Sequence, residues 1–274
     1  MPQNRIFEVT DLRNYIEYHQ LLPKPIILYV LGGDAVVDIN LRATQLRADS
    51  IIYTTGASIM HLERASADFR AAIITVSRNL FAETAAEQCH VAPENIHACI
   101  TATDEASQVI LRHLIAATEH SCHLADNAAE CASHCIRAIY AIIEHLLTAK
   151  SIAISTADRY LQQFTALLFS HVATEHEVQF YAGQLNITPK YLNELTQRVL
   201  GKSAKDAISI ILSSLIRHDL LTGDSNIKAL ASKYNFCDQS SLGKFFKKET
   251  GMSPNTFLMA KLYNKQDYYN NNEI

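Results

Sequence analysis

The sequence predicts an α+β chain. A small β-barrel or sandwich comes first, a helical region follows, and an all-α domain with two copies of one helical motif ends the chain. Three observations predict this. Short β-rich runs with turn signals between them fill the first eighty residues. Apolar residues then recur at helical spacing. Residues 188–201 (TPKYLNELTQRVLG) return fifty positions later as 238–251 (DQSSLGKFFKKETG).

The strands are read from composition and punctuation. Pro23 and Pro25 precede Ile26–Leu31, a β-rich run that stops at Gly32–Gly33. Ala35–Asn40 alternates, with Val37 and Ile39 on one face. Ser50–Thr55 and Ala71–Val76 read as buried strands, and Gly56 marks a bend. From about Phe81 the period becomes helical. Residues 105–119 place Val109, Leu111, Leu114 and Ile115 together. Residues 128–147 do the same for Cys131, Cys135, Ile139, Ile142 and Leu146, and 157–172 for Tyr160, Leu161, Phe164, Leu167 and Leu168.

The repeat lays Thr188 on Asp238, Leu192 on Leu242, Leu195–Thr196 on Phe245–Phe246, Gly201 on Gly251 and Ser203 on Ser253. In each copy a small polar residue suits an N-cap, Leu supplies a buried side and Gly suits a left-handed C-terminus. Pro189 fits the first helical position, where its missing N–H costs nothing. Phe180, Tyr181 and Leu185 form the stripe of a preceding helix, and Ile187 lies in the turn. Asn226–Tyr234 and Asn235–Phe236–Cys237 are the matching helix and turn of the second copy. Lys205–Leu221 is a long helix between them. Each copy is thus a helix-turn-helix whose second helix could enter a DNA major groove.

Charge agrees with this. Residues 182–261 carry eleven Lys and Arg against six Asp and Glu, while the whole chain has 24 against 28. A basic end on an acidic body suits contact with a polyanion. At 274 residues and 48% hydrophobic content the chain can bury two modest cores. Its apolar runs are too short to span a membrane, and MPQNRIFEVTD does not read as a signal peptide, so a cytoplasmic location is expected. The six cysteines are then expected to be reduced thiols.

Residues 178–257 resemble the DNA-binding domain of the AraC/XylS family of bacterial transcription regulators. The resemblance is carried by Leu185-x-Ile187-Thr188-Pro189-x-Tyr191-Leu192, Gly201-x-Ser203, Leu220–Leu221, Ile227-x-x-Leu230-Ala231, Phe236-x-Asp238-x-Ser240, Phe245-Phe246-Lys247 and Gly251-x-Ser253-Pro254. The N-terminal strands resemble the cupin-like sensory domain of many members. One departure follows the Ser-Pro motif, where the family often has an aromatic-Arg pair and this chain has Phe257–Leu258.

Outward positions of the second helices are the candidate base readers: Lys190, Asn193, Glu194 and Gln197 in the first motif, and Gln239, Ser240, Gly243 and Lys244 in the second. Asn and Gln pair with adenine, Lys donates to guanine, and Glu accepts from cytosine. Gly243 would let the backbone approach DNA closely. Thr188, Arg198, Lys202, Lys205, Asp238, Lys247 and Lys248 are the candidate phosphate contacts, the two N-caps through backbone N–H groups.

Other constellations point to less. Cys122–His123, Cys131, His134 and Cys135 form the densest Cys/His group. Its spacing matches no zinc finger, and Cys131 and Cys135 read as small core residues. His61-x-Glu63 lacks the second His of a cupin metal site. Tyr53 and Asp68–Phe69 could line a pocket in the barrel, but core or surface positions suit them as well.

The expected organisation is a β-rich cupin-like sensory domain (1–80), a helical linker or dimerisation region (81–175), a double helix-turn-helix domain (176–262) and a polar tail (263–274). The expected function is a DNA-binding transcriptional regulator, not an enzyme, that reads a bipartite promoter site and is controlled by a ligand or by dimerisation. Its expected partners are double-stranded DNA and a second copy of itself, with RNA polymerase and a small-molecule effector also admitted. No metal, cofactor or membrane is expected, and no effector-binding residue is identified. Two alternatives stay open: a metal-dependent cupin enzyme fused to a DNA-binding domain, and an effector-free dimerising regulator.

Overall fold

Ile26, Leu28 and Val30 point to one side of their strand, Ile27 and Tyr29 to the other, and all five are buried. A strand that is apolar on both faces belongs in the middle of a layered structure, and that is where the computed structural model places it. Residues 6–16, 18–87, 97–101, 104–124, 126–150, 156–223 and 226–260 are described. The chain divides into two compact units, Met1–Gln163 and Phe164–Ile274.

The strands of the first unit are β1 (Phe7–Thr10), β2 (Gln20–Leu22), β3 (Ile26–Gly32), β4 (Asp34–Ile39), β5 (Arg42–Arg47), β6 (Ser50–Thr54), β7 (Ser58–Ala65), β8 (Arg70–Thr75) and β9 (His97–Thr101). They form two antiparallel sheets. The first has the order β1-β8-β3-β6-β9 and the second β2-β7-β4-β5. Helices α1 (Arg78–Glu87), α2 (Glu105–Ser121) and α3 (Ala128–Lys150) follow.

Three layers result. One core lies between the sheets, where Leu28, Val30, Ile52 and Ile73 of the first meet Val37, Ile39, Met60 and Leu62 of the second. The other core lies on the far side of the first sheet, where Ile27, Tyr29, Ile51 and Ile74 meet Leu111, Ile115, Ile136, Ile139 and Ile143 of α2 and α3.

A polar clamp joins sheet to helix. Asp49 sits in the β5–β6 turn at φ 63°, in the left-handed region. It accepts a hydrogen bond from the buried Tyr29 hydroxyl (2.5 Å) and two from Arg112 of α2, from Nε at 2.9 Å and Nη2 at 2.6 Å. The guanidinium holds the Asp49 carboxyl below its usual range.

Several expectations need correction. The helical stretch expected from residue 81 also holds β9, which pairs with β6 from Ser50↔Thr101 to Thr54↔His97. The buried stripe of α3 runs through Ala132, Ile136, Ile139, Tyr140, Ile143 and Leu146. Cys131 and Cys135 lie beside it, half-buried, rather than on it. Tyr53 and Phe69 cannot line one pocket, because Phe69 packs between the sheets and Tyr53 faces α3. Asp68 is exposed.

The second unit takes in the end of α4 (Thr156–His171), then α5 (Val178–Gln184), α6 (Pro189–Leu200), α7 (Ala204–Thr222), α8 (Ile227–Lys233), α9 (Gln239–Thr250) and a last helical stretch over 254–260. Phe164 and Tyr181 meet edge to face at 5.6 Å in its core.

His176 packs its ring 5.3 Å from that of Phe236, and its Nε2 is buried with no hydrogen-bond partner among the described residues. Burial lowers its pKa from the ordinary 6.5, and only partly is this opposed by the Val172 carbonyl, Glu177 and Glu175. The folded chain therefore holds this ring neutral, and the unfolded chain binds the proton more readily. Stability is then complete above the ordinary value and is lost as pH falls below it. Thermal melts from about pH 7.5 down to about pH 6 should show a falling midpoint, and His176→Gln should flatten that slope.

Candidate nucleic-acid interface

The two helix-turn-helix motifs are built alike from the backbone upward. Each first helix ends in a Schellman turn with Asn, not Gly, in the left-handed position: Asn186 at φ 54° and Asn235 at φ 52°. In the first, Ile187 N–H donates to the Ala182 carbonyl (3.0 Å) and Asn186 N–H to that of Gly183. In the second, Phe236 N–H donates to Ala231 (2.8 Å) and Asn235 N–H to Ser232. Asn tolerates this conformation better than most residues.

The second helices then open on side-chain caps. The Thr188 hydroxyl accepts from Tyr191 N–H at 3.1 Å, and the Asp238 carboxylate accepts from Ser241 N–H at 2.7 Å. Both helices are twelve residues long, and both end at a glycine with positive φ, Gly201 at 67° and Gly251 at 79°. Up to the turn the copies are 49 residues apart (Ala182 and Ala231, Asn186 and Asn235), and from the caps onward 50. Cys237 is the extra residue.

Burial separates the faces. Leu192, Leu195 and Thr196 of α6 and Leu242 and Phe246 of α9 are buried. Lys190, Asn193, Glu194, Gln197 and Arg198 are exposed on α6, as are Gln239, Ser240, Lys244, Lys247 and Lys248 on α9. Gly243 and Lys202 are half-buried, and Lys205 is exposed on the first turn of α7. Lys248 lies 3.6 Å from Glu249, a loose surface pair. Capping by backbone N–H groups, Ser241 first, holds the Asp238 carboxyl below its usual range, so that helix start carries a negative charge.

Sequence reasoning missed what Asn193 does. Its side-chain oxygen accepts from Ala204 N–H at 3.1 Å, so it caps the start of α7 beside the capping box of Ser203 and Asp206. While that bond stands, one lone pair of the Asn193 oxygen is taken, and its amide N–H groups are the readier contact for a base. Fifty residues on, the counterparts are Gly243 and Pro254. Proline has no N–H to satisfy, so the second copy has no use for the Asn oxygen. A Cβ added at Gly243 would meet nothing within 4 Å. Protein packing therefore does not require glycine there. Asn193→Ala should cost about 1 kcal/mol of stability by orphaning the Ala204 N–H, whereas Gly243→Ala should add up to about 1 kcal/mol of helix propensity. Urea unfolding of both variants checks the pair.

The connecting elements are pinned. Asp219 of α7 accepts from Lys233 Nζ (2.6 Å) and from the Tyr234 hydroxyl (2.7 Å) at the end of α8. Asn235 Nδ2 donates to the Thr174 carbonyl at 2.9 Å, which ties the second turn to the segment before α5.

Residues 181–260 match the family model of a helix-turn-helix domain. Over these residues the chain carries a helix-turn-helix domain, in keeping with its resemblance to the AraC/XylS regulators. No curated protein matches the chain. Among solved structures it is similar to the ToxT regulator of Vibrio cholerae (14% identity, 92% of this chain and 91% of that one, TM-score 0.47). It is also similar to the C-terminal domain of AraT, a response regulator from Geobacillus stearothermophilus (22% identity, 40% and 88%, TM-score 0.36). A third similar structure is the AraC-like transcriptional activator CuxR (12% identity, 80% and 73%, TM-score 0.31).

The other sequence candidates do not assemble into a metal centre. His61 Nε2 lies 2.8 Å from the Ile16 carbonyl, and its ring stacks on that of His19 at 4.9 Å. Glu63 is exposed. His19 in turn lies 3.1 Å from the buried Asp38 carboxylate. Among the described residues no three His, Cys, Asp or Glu side chains are placed to hold a metal ion, and His134 is exposed beside its half-buried cysteine neighbours. No helix of the described residues is long and apolar enough to cross a membrane.

Proposed function

We propose that this AraC/XylS-type regulator reads a bipartite, non-palindromic promoter site with α6 in one major-groove segment and α9 in the next, about one duplex turn (~34 Å) away. The observation that carries the reading is the repeated construction itself. Two helices of equal length, with equivalent caps, turns and buried sides, both turn a polar face to solvent. The intervening α7 has 19 residues and is about 28 Å long, a suitable bridge between adjacent grooves.

In this reading Lys190, Glu194 and Gln197 of α6 meet base edges, with Asn193 contributing through its amide N–H groups. Gln239, Ser240 and Lys244 do so in α9, and the bare backbone at Gly243 allows close approach. Thr188, Arg198, Lys202 and Lys205 hold phosphates around the first motif, as do Asp238 (through its backbone), Lys247 and Lys248 around the second. Control comes from the N-terminal unit, by a bound ligand or by pairing with a second copy, and is read out as altered operator binding or polymerase contact.

The test is selection of bound sequences from a random duplex pool, at about 150 mM salt so that purely electrostatic binding is suppressed. Two enriched elements about one turn apart support the proposal. A single short element would mean that one helix alone reads bases, and no enrichment would set the reading aside.

A further inference from the structure

The segment 172–177 between α4 and α5 is fastened to both helix-turn-helix motifs. Toward the first, the Tyr181 hydroxyl of α5 donates to the Glu175 carbonyl at 2.6 Å. Toward the second, Asn235 Nδ2 donates to the Thr174 carbonyl at 2.9 Å, and the His176 ring lies 5.3 Å from that of Phe236. Phe236 in turn lies 5.3 Å from Phe245 of α9. A row of three rings thus runs from the segment, through the second turn, to the helix that carries Lys244. The repeat does not duplicate this fastening. Among the described residues, the side chain of Asn186, the counterpart of Asn235, makes no such bond.

One ring of the row titrates near neutrality. The Val172 carbonyl of its own segment meets one His176 ring nitrogen, and Nε2 is buried with no hydrogen-bond partner among the described residues. An added proton therefore falls on Nε2, where no acceptor receives it. Glu175 and Glu177, also of that segment, favour the charged ring, but burial outweighs them. The second turn offers the Phe236 ring, and the nearby Asp238 carboxylate is turned to Ser241 N–H.

We propose that His176 is a positioning residue for α9: its neutral ring holds the second motif in place through Phe236, and its protonation releases that motif. Acid then uncouples the second motif from the first and weakens the reading of one half of the site. That consequence rests on the DNA-binding reading, whereas the docking does not. Its sign is distinctive, because protonation of exposed histidines adds positive charge and strengthens binding to DNA.

The test begins without DNA, as amide hydrogen exchange of the full chain at about pH 7.5 and about pH 5.5, expressed as protection factors so that the intrinsic pH dependence drops out. Phe236, Ser241 and Leu242 have matched amides in Ile187, Tyr191 and Leu192 of the first motif. Acid should lower protection of the first three by about tenfold more than that of their counterparts, the effect of one proton taken up over about one pH unit. His176→Phe keeps a ring on Phe236 without the proton and should abolish the difference. His176→Gln, which also cannot take the proton, should do so from a looser start. Asn235→Gly accepts φ 52° and removes only the tie to Thr174, so it should loosen the second motif at both pH values. Thermal melts check that each variant is folded. On the bipartite duplex recovered by selection, affinity should fall in acid for the parent and not for His176→Phe. With the α9 element scrambled, acid should weaken nothing. Equal loss of protection in both motifs, no loss in the second, the same loss in His176→Phe, or loss of protection with no fall in affinity overturns the proposal. If no bipartite duplex is recovered, the DNA-binding reading fails by itself and the exchange measurement still decides the docking.

Discussion

Asp49→Ala is expected to destabilise the N-terminal unit by about 3 kcal/mol, read as a lower urea midpoint at unchanged slope. Three losses combine. The buried Tyr29 hydroxyl loses its 2.5 Å acceptor, Arg112 loses both of its hydrogen bonds to the carboxylate, and alanine must adopt φ near 63°. Asp49→Asn separates them. Asparagine accepts from the phenol and tolerates the left-handed turn, but its amide N–H₂ meets the guanidinium where an oxygen was. It should therefore cost less than alanine, and Arg112→Met less again, because Arg112 is itself largely exposed. Equal stability of parent and Asp49→Ala would show that the clamp does not hold α2 to the sheet.

Lys244→Ala and Lys247→Ala are expected to weaken operator binding in different ways. Lys244 lies one turn beyond Ser240 on the exposed face of α9. Its loss should reduce affinity by about 1–3 kcal/mol for the preferred sequence and relax preference at one base pair. Lys247 is also exposed, near the end of the helix. Its loss should weaken all duplexes alike and lower the salt slope by about one. Titrations on preferred and scrambled duplexes at several salt concentrations read both effects. A uniform loss for Lys244→Ala would remove it from the base-reading set.

What could be read from sequence follows from how local each signal is. Ile26–Leu31, Ala35–Asn40, Ser50–Thr55 and Ala71–Val76 were recognisable as strands because their apolar side chains are contiguous or alternate. They appear as β3, β4, β6 and β8 with no end shifted by more than one residue. β5 (RATQLR) has one fully buried residue, Leu46, so its pattern is that of an exposed loop. β9 is a strand through its pairing with β6, a partner some fifty residues distant that no local pattern reveals. The stripe of α3 was misplaced by one residue because Cys131 and Cys135 share the helical period with the true core positions Ala132 and Ile136. The double motif was legible to its caps, since Thr188, Gly201, Asp238 and Gly251 act through their own backbone neighbours. The bond from Ala204 to Asn193 spans eleven residues and a turn, and nothing in the spacing of those two residues announces it.

The layering of the first unit also sets an order of opening. β3 has a hydrogen-bonded neighbour on each edge and a core on each face, whereas β1, β2, β5 and β9 end their sheets. Solvent deuterium should therefore reach the outer strands through local fraying and reach β3 only when the whole unit unfolds. The slowest amides of Ile27, Leu28 and Tyr29 would then report the global free energy of that unit, and a ligand bound by the folded form alone should slow them most.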